Sequence, residues 1–224
     1  MINDLDRQLI WSAHKGYKDL SDLIDKGANI NVVCCEEMRP VQKGFTPLMA
    51  AIHGNQMESF ELLIEKGANV NLVPDVYNKK STPLILAADL ARLEYVNKLI
   101  SAKATVDLPN KNGRSALSLI CSSCKKKHIP ILEALLVNNA NINLQDKRGY
   151  TPFFYAAKIK SPDEDFIKIL LNQCIDYTIK DKSGKDAYIH SKKNMKSLIH
   201  HKLESLILRN DLDDVPEAIT EMRL

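Results

Sequence analysis

The amino-acid sequence predicts an all-α (mainly helical) repeat solenoid, because two short motifs recur in phase along its 224 residues. The first motif reads KGANIN at residues 26–31 and KGANVN at residues 66–71, with weaker copies near residues 103, 139 and 174. The second motif, Thr-Pro-Leu or a variant of it, precedes each copy from the second onward. A unit of about 35 to 40 residues cannot bury its apolar face alone, so neighbouring units are expected to stack.

Each unit is predicted to contain helix, tight turn, helix and an extended, hairpin-like loop. The Thr or Ser of the second motif caps a helix, and the proline suits its first turn. Paired small residues such as Ala50-Ala51 then allow neighbouring helices to approach closely. Gly27 and Gly67 are expected to end the second helices in a left-handed conformation, which Asn139 also tolerates and which Lys103 and Cys174 tolerate less well.

Composition and charge limit the class of protein further. Hydrophobic residues make up 45% and charged residues 26% of the chain, which is typical of a globular protein and excludes disorder of the whole chain. We expect no secretory signal peptide, no membrane-spanning helix, and reduced thiols at the five cysteines, as in a cytoplasmic protein. Residues 101–202 carry 18 basic and 9 acidic side chains, whereas residues 203–224 carry 2 and 6.

On these motifs the chain resembles the ankyrin repeat family over roughly residues 5–202. The first unit lacks the Thr-Pro start, and extra residues lie around 122–126 and 158–161. The resemblance implies a solenoid over residues 1–208 followed by an acidic tail over residues 209–224. The predicted units cover about 5–43, 44–80, 81–112, 113–148, 149–183 and a degenerate 184–208.

The resemblance also implies a binding surface, the concave face formed by loop tips and first helices. Transferred position by position, this face is basic and contains two aromatic residues, as expected for a site that attracts an acidic partner protein. The predicted partner-binding residues are Lys43, Phe45, His53, Lys79, Asp89, Lys111, Arg114, Lys147, Arg148, Tyr150, Lys158 and Lys185.

We therefore predict a non-catalytic, monomeric protein–protein interaction module that acts as an adaptor, inhibitor or effector and needs no cofactor or metal. Solvated lysines at loop tips are the plain alternative to a binding site. Nucleic-acid binding through the basic face is the second functional hypothesis. An enzyme with an unrecognised site is the third, since no catalytic set of side chains is evident.

Three other residue groups have both a functional and a structural interpretation. The pattern Cys121-x-x-Cys124 is typical of half a zinc site or of a redox pair. Because no second cysteine pair with suitable spacing follows, a structural role is favoured. His200, His201 and Glu204 are too few ligands for a metal and favour a solvated helix face. Asn31, Asn71 and Asn143 match a position that is hydroxylated in some ankyrin proteins, and a role in stabilising the loops is favoured.

The acidic tail admits two hypotheses. Its carboxylates, from Asp211 to Glu221, could fold over the basic face and restrain it. The tail is also similar to C-terminal export signals of ankyrin effectors from intracellular bacteria, which would place the protein in a host cell.

Overall fold

A computed structural model describes residues 2–35, 38, 40–74 and 81–208. The chain divides into two compact units, residues 1–111 (unit 1) and 112–224 (unit 2). This division lies one residue before the predicted boundary between the third and fourth repeats, 81–112 and 113–148. The acidic tail, residues 209–224, lies outside the described residues.

The described part of unit 1 contains three helix pairs, in which the first helices pack side by side, α1 on α3 and α3 on α5. Each first helix also contacts the second helix of its own pair. The interior is formed by fully buried side chains such as Leu9, Leu48 and Phe60. The helices are α1 (Asp4–Lys15), α2 (Leu20–Asp25), α3 (Pro47–Gly54), α4 (Met57–Glu65), α5 (Pro83–Asp89) and α6 (Leu93–Ser101).

The first helices of unit 2 also pack side by side, α7 on α9 and α9 on α11, and among its second helices α8 packs on α10. The last pair is unequal, because a first helix of 4 residues precedes a second helix of 16 residues. The helices are α7 (Ala116–Cys121), α8 (Ile129–Val137), α9 (Pro152–Ala157), α10 (Glu164–Leu171), α11 (Ala187–His190) and α12 (Lys193–Leu208).

The starts of the first helices follow the sequence motif. The hydroxyl of Thr46 accepts the backbone N–H of Met49 at 3.2 Å, and Thr82, Ser115 and Thr151 do the same for the residue three positions later. In the degenerate last repeat the carboxylate of Asp186 takes over this role. The prediction of an all-α repeat fold is therefore confirmed, and its helix starts have the expected physical cause.

At four places among the described residues, a second helix ends in a turn with a left-handed residue, and that residue is not always glycine. Gly27, Gly67, Lys103 and Asn139 all adopt positive φ angles, between +60° and +96°. After each of them an alanine N–H donates to a carbonyl five residues earlier, for example Ala104 to Leu99 at 2.9 Å. This is the hydrogen bond of a Schellman motif, so Lys103 accepts a conformation that glycine adopts more easily.

One glycine determines how closely two helices of unit 1 approach. A Cβ atom on Gly54, at the end of α3, would lie 2.0 Å from the carbonyl oxygen of His14 in α1. Only a residue without a side chain allows this contact, because the obstacle is backbone and cannot rotate away.

Asparagine side chains join successive loops within each unit. The Oδ1 of Asn31 accepts the N–H of Asn69 at 2.8 Å, and that of Asn71 accepts the N–H of Thr105 at 2.8 Å. In unit 2, Asn143 accepts the N–H of Asp176 and donates to the carbonyl of Cys174, both at 3.0 Å. These contacts explain the recurring asparagines by loop stabilisation, as the sequence favoured.

The extra residues between the helices of unit 2 form two joined turns. Residues Lys126–His128 make a single 3-10 turn before α8. The N–H of Asp163 donates to the carbonyl of Cys124 at 2.9 Å, which connects this insertion to that of the next repeat. Cys124 has a φ of +44° and donates its thiol to the carbonyl of Cys121.

Burial governs the chemistry of the two cysteines in this turn. Cys121 and Cys124 are 0% and 1% exposed. Burial, together with the nearby Asp163 carboxylate, raises the pKa of Cys124 to about 12, and burial raises the pKa of Cys121 well above its usual value. Both thiols are therefore protonated near neutral pH, which suits a structural role and opposes reactivity.

Two searches over the described part of the chain complete the fold. Within it, no cluster of three or more His, Cys, Asp or Glu side chains is arranged to hold a metal ion. Among the helices described, none is long and apolar enough to cross a membrane. His201 is exposed on α12, and His200 beside it is half-buried.

Candidate functional site

An aromatic and cationic cluster lies on the first-helix side of unit 2. Its members are Arg114, Tyr150, Tyr155, Lys158 and His190, and we call it the Tyr150 cluster. The ring centroid of Tyr150 is 5.7 Å from that of Tyr155 and 5.4 Å from that of His190. The guanidinium carbon of Arg114 is 4.2 Å from the centroid of Tyr155, and the Nζ of Lys158 is 4.8 Å from that of Tyr150.

A buried aspartate holds the loop that carries Tyr150. One oxygen of Asp146 accepts the backbone N–H groups of Arg148 and Tyr150, at 2.8 and 2.9 Å. Its other oxygen accepts the hydroxyl of Tyr155 at 2.5 Å. Burial and this hydrogen bond raise the pKa of Tyr155 to about 12. The phenol therefore stays neutral and acts as a donor that ties the loop to α9.

The next repeat contains the same device. One oxygen of Asp181 accepts the N–H groups of Ser183 and Lys185, and the other lies 2.8 Å from the Nε2 of His190. Burial alone would raise the pKa of Asp181, but the hydrogen bonds from Ser183, Lys185 and His190 outweigh it and hold the pKa well below its usual range. The carboxylate thus remains charged and fixes the imidazole of His190 beside Tyr150.

The loop tips next to these aspartates carry exposed cations. Lys147 and Arg148 form one tip, and Lys182 and Lys185 form the next. The N–H of Lys182 donates to the carbonyl of Arg148 at 3.0 Å, so the two tips lie side by side. We call these four residues the tip cations.

The structure thus brings together several of the predicted contact residues. Arg114, Tyr150 and Lys158 belong to one cluster, and Lys147, Arg148 and Lys185 belong to the adjacent tips. Sequence reasoning missed Tyr155 and His190. A signal for both exists, since each follows a loop aspartate by nine residues, Asp146 and Asp181 respectively.

In unit 1 the expectation for Phe45 is wrong. Phe45 was predicted as an exposed contact, but it is only 6% exposed. The long connection before it folds back, so that the N–H of Cys34 donates to the carbonyl of Phe45 at 2.8 Å, and the Phe45 ring packs edge-on against His53 at 5.5 Å. Phe45 is therefore a core residue.

The other predicted contact residues of unit 1 differ in solvent exposure. His53 and Lys43 are half-buried, whereas Asp89 and Lys111 are exposed. Lys79 lies outside the described residues.

A stack of imidazoles occupies the first-helix side of unit 1. The rings of His14 and His53 are 5.4 Å apart and 28° from parallel. The Nδ1 of His14 lies 3.3 Å from the carbonyl oxygen of Ala50. Burial, followed by the charges of His14 and Arg92, lowers the pKa of His53. The two histidine rings pack against each other, and the lowered pKa of His53 disfavours its protonation. This side of unit 1 therefore differs from the corresponding side of unit 2, which exposes cations.

Helix pairs joined by hairpin-like loops, with a polar face at the loop tips, define an α-helical repeat protein. The family model of ankyrin repeats matches residues 9–112, 92–181 and 117–203. The chain belongs to the ankyrin repeat family, and ankyrin repeats generally serve as protein–protein interaction modules.

Curated relatives agree with this family. An ankyrin repeat and KH domain-containing protein of Caenorhabditis briggsae is 33% identical over 128 residues, which are 57% of this chain and 5% of that protein. A protein of the same description from Drosophila melanogaster is 37% identical over 98 residues, 44% of this chain and 2% of that protein. An ankyrin repeat and SAM domain-containing protein of Rattus norvegicus is 25% identical over 173 residues, 77% of this chain and 18% of that protein. The chain therefore spans only a small part of these relatives.

Proposed function

We propose that unit 2 binds an acidic segment of a partner protein through the Tyr150 cluster and the tip cations. The single observation that supports this most directly is the Tyr150 cluster itself, in which two cations lie over two adjoining tyrosine rings. Tyrosine and arginine are enriched among residues that dominate binding energy in protein interfaces. The exposed lysines beside them would attract carboxylates and raise the association rate.

The rigidity of this face supports the same proposal. The Tyr150 loop is held by three hydrogen bonds to the one carboxylate of Asp146, and the following loop by contacts to Asp181. A surface ordered before binding loses little conformational entropy on association.

The choice of test residues follows from their contacts. Arg114 is half-buried and donates from Nη2 to the carbonyl of Ser118 in α7 at 3.2 Å, so its reversal would damage the fold as well as the surface. Arg148 and Lys158 are exposed, and replacing both by glutamate changes the charge while leaving the core intact. The matched control is Lys126→Glu with Lys127→Glu, since these lysines are exposed on the inter-helix turn of the same unit.

The experiment compares proteins captured from lysate by the wild type, the R148E/K158E variant and the K126E/K127E variant, followed by affinity measurement with the purified partner. We expect the control to bind like the wild type and R148E/K158E to lose at least about tenfold in affinity, more at 50 mM than at 200 mM salt. Equal loss in both variants would show only a general charge effect. Nuclease-sensitive capture would favour nucleic acid as the ligand and overturn the proposal.

The broader role of the protein remains a set of predictions. These are a non-catalytic adaptor, inhibitor or effector, a monomeric state, a cytoplasmic location and, from the tail sequence alone, export into a host cell. The relatives named above are animal proteins, so they lend no support to bacterial export.

A further inference from the structure

The acidic tail of the chain carries a charge opposite to that of the cationic face of unit 2. Residues 209–224 contain five carboxylates, at Asp211, Asp213, Asp214, Glu217 and Glu221, and two arginines. We propose that this tail binds the tip cations and the Tyr150 cluster. Its competition with a partner rests on the proposed function, whereas the docking of the tail does not.

The charge distribution of the two loop tips favours an anionic ligand. Lys147, Arg148, Lys182 and Lys185 are all exposed. The carboxylates nearest in sequence to these cations, Asp146, Asp181 and Asp186, are at most 9% exposed and accept hydrogen bonds from backbone N–H groups of their own loops or helix. Asp176, at the start of the second loop, is exposed. At the tips themselves, the cations thus face the solvent while the adjacent carboxylates are turned inward.

The other basic segment of unit 2 is less suited. Lys125, Lys126 and Lys127 are exposed at the far end of the helix pair, where the 3-10 turn lies. The neighbouring inter-helix turn, joined to this one by the bond from Asp163 to Cys124, leads into Glu164 and Asp165, which are exposed carboxylates. An acidic segment would meet like charges there, so the tips are the favoured surface.

The tail is long enough to reach the tips. It begins directly after α12, which ends at Leu208 in the same unit. Sixteen further residues span at most about 50 Å when extended, at roughly 3.3 Å per residue. The helix that precedes the tail, α12, has 16 residues and is about 24 Å long, which is about half of this reach. A tethered segment also acts at an effective concentration on the order of millimolar, so weak ion pairs suffice.

The sequence of the tail matches the mixed chemistry of the face. Leu212 lies between Asp211 and Asp213, and Val215 directly follows Asp214. The tip cations can pair with the carboxylates, while the half-buried rings of Tyr150 and Tyr155 offer apolar contact area.

The test uses the full chain and compares amide chemical shifts of the wild type with those of D211N/D213N/D214N. These substitutions lie outside the described residues and remove three charges. We expect shift changes at residues 147–150 and 182–185 that disappear at about 0.5 M salt, because ion pairs at the surface are screened. Residues 125–127 serve as the internal control and should not change. Unchanged shifts at both tips, or changes centred on residues 125–127, would overturn the proposal.

Zero-length carbodiimide cross-linking of the full wild-type chain gives a second, independent readout. The expected products join tail carboxylates to Lys147, Lys182 or Lys185, with none to Lys125–Lys127. Random cross-linking to all exposed lysines would contradict a specific docking site.

A final comparison separates this inference from the proposed function. If both hold, D211N/D213N/D214N binds the partner about tenfold more tightly than the wild type, as expected when a tethered competitor is removed. If the chemical shifts show docking of the tail but the affinity for the partner is unchanged, the docking proposal stands and the partner binds at another surface.

Discussion

Gly149 and Gly184 occupy equivalent places in successive loops but have different surroundings. Both adopt left-handed φ angles, +81° and +77°. A Cβ on Gly149 would lie 3.0 Å from the Cα of Asp181, whereas one on Gly184 would meet nothing within 4 Å. The two glycines therefore differ because the following loop packs against Gly149, and not because their own loop motifs differ.

This difference predicts unequal costs of the same substitution. Gly184→Ala should destabilise by about 1–2 kcal/mol, the cost of a left-handed alanine. Gly149→Ala should cost about 1–3 kcal/mol more, because the backbone of the next loop must move. Urea unfolding of both variants measures the free energies. Equal losses would show that the neighbouring loop yields without cost.

His53 predicts a pH dependence for the stability of unit 1. Its pKa is lowered in the folded chain, mainly by burial, so the unfolded chain binds the proton more tightly. The stability contribution is complete above the unfolded value of 6.5 and is lost as the pH falls below it toward the lower folded pKa.

His53→Phe keeps a ring against His14 and Phe45 but removes the titration. We expect the wild type to lose more free energy of unfolding than H53F between pH 7.5 and 5.0, as measured by urea titration at each pH. If the two proteins lose the same amount, another group accounts for the pH dependence.

At the scale of the element, the turn that ends the second helix α6 contains Lys103, a residue type that rarely adopts the left-handed conformation required there. Lys103 adopts a φ of +67° where Gly67 occupies the equivalent place at +87°. The Schellman hydrogen bond still forms, from Ala104 to Leu99. The geometry of the helix end thus overrides the preference of lysine.

Replacing Lys103 by glycine should therefore stabilise the protein. The left-handed conformation costs lysine about 1–2 kcal/mol, part of which glycine loses again through its larger entropy in the unfolded chain, so we expect a gain of about 0.5–1 kcal/mol. Thermal unfolding checks this result. Lys98→Gly is the contrasting control, because the same change inside α6 should destabilise. A loss of stability in K103G would contradict the argument.

At the scale of the whole molecule, stability depends on contacts between successive repeats. Asn71 illustrates this, since its side chain accepts the N–H of Thr105 and donates to the carbonyl of Lys103 at 3.2 Å, both in the next loop of unit 1. In repeat proteins such nearest-neighbour terms add to the intrinsic stability of each repeat.

Asn71→Ala should lower the free energy of unfolding by about 1–2 kcal/mol, as two inter-loop hydrogen bonds are lost. Asn97→Ala, on the exposed side of α6, should be neutral or slightly stabilising because alanine favours the helix. Denaturant titration of the two variants provides the comparison. A neutral effect of N71A would mean that solvent replaces the bridge fully.

Much of the fold could be predicted because its signals are local. The caps at Thr46, Thr82 and Thr151, the helix-ending glycines and the repeat spacing each depend on a few neighbouring residues. The candidate site was only partly predictable. Arg114, Tyr150 and Lys158 were found from their repeat positions, whereas the burial of Phe45 depended on how the preceding connection folds back.

The sequence by itself determined the family, the helix pairs and the surplus of basic residues over residues 101–202, since these follow from periodicity and composition. Only the tertiary structure decided which side chains lie together in the candidate site. Tyr155 and His190 belong to the site because Asp146 and Asp181 reach from loop to helix, and Gly149 has little room for a side chain because the next loop lies against it. The contacts to the two aspartates span only nine residues, but the approach of Gly149 to the loop of Asp181 joins successive repeats and depends on how the repeats pack.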